Sequence, residues 1–122
     1  MERIISFLPI AALIAGGWAF VNGVLHDIFV LIPHKTGYDR ELLRLLMDGH
    51  ILITCGIIQM IAYKGLSVNA HWGYYLAGVA TISLLIYCAM IFPFLKSIGT
   101  ISLNVILMVM LIISFAKKSS IV

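Results

Sequence analysis

Apolar residues run along this chain in four long blocks, separated by short stretches where Pro, Gly and charged residues gather. The blocks cover about 4–32, 42–63, 72–95 and 98–116. Each approaches or exceeds the ~20 residues that a helix needs to cross a hydrocarbon core of ~30 Å. None alternates apolar and polar positions as a barrel strand does, and open strands cannot leave backbone groups unpaired in lipid. The pattern predicts an all-α protein, one four-transmembrane-helix domain over residues 1–122. The connections 33–40, 64–71 and 92–97 are short, which favours neighbours running up-down-up-down. The expected architecture is an integral membrane antiparallel four-helix bundle. Pro33 should stop the first helix, and Gly37 should allow a tight reversal.

Within the blocks, the minority residues assign faces. Ala11, Ala15, Ala19, Gly23 and Asp27 recur every fourth position of the first helix, a row of small side chains that lets another helix approach closely. Asn22 and His26 flank the end of that row. On the second helix Asp48, Cys55, Gln59 and Ala62 share a face assigned to the bundle interior, and Arg44 stands four residues before Asp48, where the two can pair. His50 points about 200° round from Asp48 and aligns with Thr54, so Asp48 and His50 form no two-ligand claw unless Gly49 breaks the helix. The third helix carries two stripes, Ala80-Ser83-Tyr87 and Gly73-Ala77-Thr81. The fourth carries Ser97, Thr100, Asn104 and Met108 along one side.

Depth gathers these residues. Counted from the helix ends beside the first and third connections, His26 and Asp48 lie about six residues in, or ~9 Å at ~1.5 Å per residue. Tyr87 and Asn104 fall at similar depth. Asn22, His26, Asp27, Arg44, Asp48, Tyr87 and Asn104 are therefore expected to form one polar layer across all four helices. A charge near the bilayer surface costs less than the ~2.5–3.5 kcal/mol of mid-bilayer, so the layer can be a neutralised structural cluster. A second reading is a pocket for a small amphipathic ligand such as a quinone, sterol or lipid headgroup, with a few polar groups converging between helices. A metal-binding reading draws on His26, Asp27 and Asp48, and a haem reading on His26 and His50. No nucleophile elbow, zincin motif or phosphate loop is present, and no motif specifies a cofactor. A binding or assembly role is expected rather than catalysis. The assembly alternative makes the chain an accessory subunit whose small-residue seams pack against other chains.

Composition sharpens the class. Of 122 residues, 62% are hydrophobic and 11% charged, far below the quarter usual in soluble domains. The mean hydropathy is +1.11. The net charge of +3 arises from Lys and Arg scattered over connections and ends, without interleaved aromatics, so no nucleic-acid partner is expected. The expected partners are membrane lipid, and a homo-oligomer or larger membrane complex. The first block is longer than the ~7–15 residues of a signal core and is read as a retained helix. Cys55 and Cys88 sit singly in apolar blocks and read as small buried residues. His34 and His71 are expected to be solvated. Lys and Arg divide evenly between the two sides; the expectation adopted is multi-pass insertion with both termini cytoplasmic. In length and helix count the layout resembles the broad class of small four-helix membrane proteins that includes DoxX-like proteins. That resemblance rests on no motif and implies no residue roles.

Overall fold

The structure, a computed structural model, describes residues 2–35, 37–94 and 96–121. Its four helices are α1 (Glu2–Leu31), α2 (Arg40–Ser67), α3 (His71–Ile91) and α4 (Ile98–Ile121). Each is long and apolar enough to span a membrane. They contact one another in sequence, antiparallel, and α4 returns to α1 to close the ring. Large apolar side chains such as Phe29, Ile61, Val79, Ile86 and Ile112 point outward from every helix. A soluble protein would not tolerate so much exposed apolar surface, whereas a lipid-facing one requires it. The chain is a four-helix, multi-pass integral membrane protein.

The α1–α2 contact is the most extensive, and its cause is glycine. Gly16 faces Gly56, and Gly23 faces Gly49, each pair seven residues along from the other in both helices. A methyl group on Gly56 would stand 2.6 Å from the Gly16 carbonyl oxygen, and one on Gly23 would stand 2.6 Å from that of Gly49. Only hydrogen fits between backbones at this separation. Ala15, Ala19 and Gly23 of the expected seam are buried, as the four-residue row implied. Gly16 lies off that row and completes the contact.

The helix ends are chemically defined. Asp39 caps α2: its Oδ1 accepts from the Leu42 amide at 2.8 Å, the usual role of an N-cap carboxylate. His34 is less solvated than expected. Its Nε2 donates to the Gly37 carbonyl at 2.8 Å and lies 3.4 Å from Asp39, which ties the reversal together. Gly37 takes a φ of +82°, a region that suits glycine. At the other end α2 runs four residues past the expected 63. It stops where Asn69 turns left-handed at φ +57°, with the Asn69 amide bonded to Leu66 O and the Ala70 amide to Gly65 O. That double bond pattern is a Schellman stop with Asn in the place glycine usually takes. The Asn69 side chain accepts from the Tyr74 hydroxyl at 2.8 Å, and its carbonyl accepts from Lys118. The helix therefore continues until a residue able to adopt that conformation, and anchored from α3 and α4, is reached. The third helix ends at Ile91, short of the expected 95, because Pro93 follows.

Helix lengths of 30, 28, 21 and 24 residues create a stagger. Outward from the hydrogen-bonded Gln59 and Thr81, α2 continues nineteen residues to Arg40, while α3 continues ten to Ile91. At ~1.5 Å per residue, the α1–α2 hairpin stands about 13 Å beyond the α3–α4 hairpin at that end.

Candidate functional site

Two polar regions follow from this stagger. The first is deep. Gln59 on α2 donates through Nε2 to Asn104 Oδ1 on α4 at 2.7 Å and to Thr81 Oγ1 on α3 at 3.1 Å. Asn104 Nδ2 donates to the Thr100 carbonyl at 2.8 Å. Trp18 on α1 reaches in from the side, its Nε1 donating to Thr100 Oγ1 at 3.1 Å. All four helices thus contribute to one chain of hydrogen bonds. Gln59, Thr81 and Asn104 are buried to 1% exposure or less. Thr81 is the eleventh of the 21 residues of α3, so the cluster sits at mid-membrane. The Gln59 carbonyl oxygen has no donor. Turning the amide over would exchange an orphan oxygen for an orphan NH2, and would set the amide oxygen against Asn104 Oδ1. No described cleft opens onto Gln59.

The second region is where α2 emerges past the ends of α3 and α4. Three contiguous clefts surround it, and Met47 is a wall of each. The largest, about 410 Å³ and mainly apolar, lies between α2 and α3; Asp48, His50, Thr54, Cys55 and Tyr87 are in its lining. Asp48 of α2 and Tyr87 of α3 line this cleft together, one from each wall. His50 Nε2 is 3.4 Å from Thr54 Oγ1, the alignment expected from a regular helix. Asp48 continues into an outer groove of about 370 Å³ that contains Glu41 and Arg44. A third cleft, about 340 Å³, holds Asp27 and His50. Tyr87 is four residues from the end of α3, which places this region near the membrane boundary.

The seven residues expected in one layer divide accordingly. Asp48 and Tyr87 come together. Asp27 lies round the other side of α2, where one carboxylate oxygen packs on Gly49 without a donor. His26 donates through Nε2 to the Leu45 carbonyl at 3.0 Å, and Asn22 to the Trp18 carbonyl at 2.7 Å. Both are thereby used on backbone. Arg44 is exposed, and no ion pair joins it to Asp48 among the described residues. Asn104 belongs to the other region: its partner Gln59 is eleven residues, or about 16 Å, along α2 from Asp48. The layer is two levels. Depth counted from helix ends failed because the ends are not level: Ile98 begins α4 only six residues before Asn104, whereas Arg40 begins α2 nineteen before Gln59.

Gln59 is the residue the candidate set omitted. The signal was present, since Cys55, Gln59 and Ala62 share an interior face in the sequence and are all buried in the fold. Helix α2 is continuous through Gly49, so Asp48 and His50 stay on different sides. Among the described residues no three His, Cys, Asp or Glu side chains are grouped as metal ligands require. No protein-family model, curated protein or solved structure matches the chain.

Proposed function

We propose that the protein binds a small amphipathic molecule in the cleft between α2 and α3. The observation that carries this reading is Asp48 and Tyr87 together in the lining of a mainly apolar cleft, with no ion pair to Asp48 among the described residues. A polar end and an apolar body are the two parts of an amphiphile, and a few hundred Å³ suits a small one. The position near the membrane boundary lets a ligand enter from lipid while its polar end stays near water. The deep amide cluster, onto which no described cleft opens, is read as the device that fixes the mutual register of the four helices. Lipid surrounds the outward faces in this account, and the Lys64 and Lys118 end is placed in the cytoplasm with both termini.

Mass spectrometry of the protein purified from native membranes tests the reading. A copurifying amphiphile that is lost from Thr54→Trp, which fills the cleft, is the expected result. A protein that carries no such compound but arrives with other membrane chains is an accessory subunit, and the ligand reading falls.

A further inference from the structure

The charges around Met47 say more about the ligand. Three of the five acidic residues of a chain whose net charge is +3 line these contiguous clefts: Asp27, Glu41 and Asp48, against the single cation Arg44. Asp48 borders both the outer groove, which it shares with Glu41 and Arg44, and the apolar cleft, where it is the one carboxylate of the lining; among the described residues no ion pair joins it to Arg44. The Tyr87 hydroxyl and the His50–Thr54 pair supply further hydrogen-bonding groups beside it. A carboxylate at the edge of lipid is stabilised most by an opposite charge that donates hydrogen bonds to it. An ammonium group does both; a hydroxyl donates without charge, and a carboxylate ligand is repelled. One alkyl chain fits within a cleft of about 410 Å³, whereas two acyl chains would extend beyond it. We infer that the ligand is a single-chain amphiphile with a protonated amine, its ammonium group on Asp48 and Tyr87 and its tail along Ile51 and Cys55. The inference rests on the proposed binding role and adds the charge of the head.

Met47 supplies the reporter, because its side chain borders every one of these clefts, while Met60 and Met110 pack elsewhere against the bundle. The full chain, labelled with 13C at the methionine methyls and held in phosphatidylcholine nanodiscs, is titrated at pH 7 with decylamine, decanol and decanoate. The three share a tail and differ in the head. A saturable shift of the Met47 methyl with decylamine, at least about tenfold tighter than with decanol or decanoate, is expected. Met60 and Met110 should stay in place. Asp48→Asn should remove the preference for the amine, and Tyr87→Phe should reduce it. Equal binding of all three overturns the cation inference and leaves the amphiphile reading standing. No saturable shift with any of them overturns both. A Met47 shift produced by adding phosphatidylethanolamine to the nanodisc would make a bilayer aminolipid the occupant, and would overturn the single-chain assignment.

Discussion

Gln59 and Asp48 lie on one helix, eleven residues apart, and their surroundings differ in every respect that governs a polar side chain in a membrane. Gln59 is wholly buried halfway along the bundle's α3 span, bonded across to α3 and α4, and no described cleft opens onto it. Asp48 stands where α3 and α4 end, shares a cleft with Tyr87, and borders two clefts. A buried amide with partners on two other helices specifies how those helices align, because any other register strands its donors and acceptors in a dry interior. A carboxylate at an open edge specifies little about alignment. What it offers is a charge that forms no ion pair among the described residues. Buriedness of a polar group therefore points here to architecture, and partial exposure beside a cavity points to binding.

That contrast can be broken from the side of architecture first. The greatest loss is expected from Gly56→Val, whose added carbons would meet the Gly16 carbonyl and the Phe20 amide. Overpacking against backbone should cost about 3 kcal/mol in unfolding experiments, and often prevent folding. Next comes Gln59→Leu, which strands Asn104 and Thr81. Interhelical polar contacts in membranes imply a loss of about 1–2 kcal/mol. The double variant Gln59→Leu with Asn104→Leu should lose no more than the single, since both halves of the bond are then gone. Additive losses would mean the amides act separately. Trp18→Phe, which removes the indole donor to Thr100 at the rim of the cluster, should lose about 0.5 kcal/mol. Smallest of all, Asp48→Asn should alter stability by less than about 0.5 kcal/mol, because no ion pair is broken.

The fold was legible in the sequence because its determinants are local. Apolar runs of membrane length announce helices, and short connections force neighbours to be antiparallel. The buried face of α2 was legible too, from Cys55, Gln59 and Ala62. What escaped was relational. Gly16 lies outside the row of small residues that recurs every fourth position, because the α1–α2 contact uses a seven-residue spacing between Gly16 and Gly23. The level of Asn104 was misplaced because a helix end is a poor depth marker when two hairpins are offset by about 13 Å. That offset depends on which residues of α2 and α3 are paired at Gln59 and Thr81, residues 22 apart in the chain, and on how far each helix continues from there, to Arg40 and to Ile91. Asp48 and Tyr87 were brought together by sequence reasoning because both lie near helix ends on the same side; the gap between them and Asn104 was set by tertiary packing alone.

Unfolding free energies of Gln59→Leu and Asp48→Asn, measured side by side in the same lipid against the unaltered chain, test the division of labour most directly. The Gln59 variant should lose about 1–2 kcal/mol and the Asp48 variant should stay within about 0.5 kcal/mol. An Asp48 variant that loses as much as the Gln59 variant, or more, would contradict the account, for the carboxylate would then be holding the bundle together.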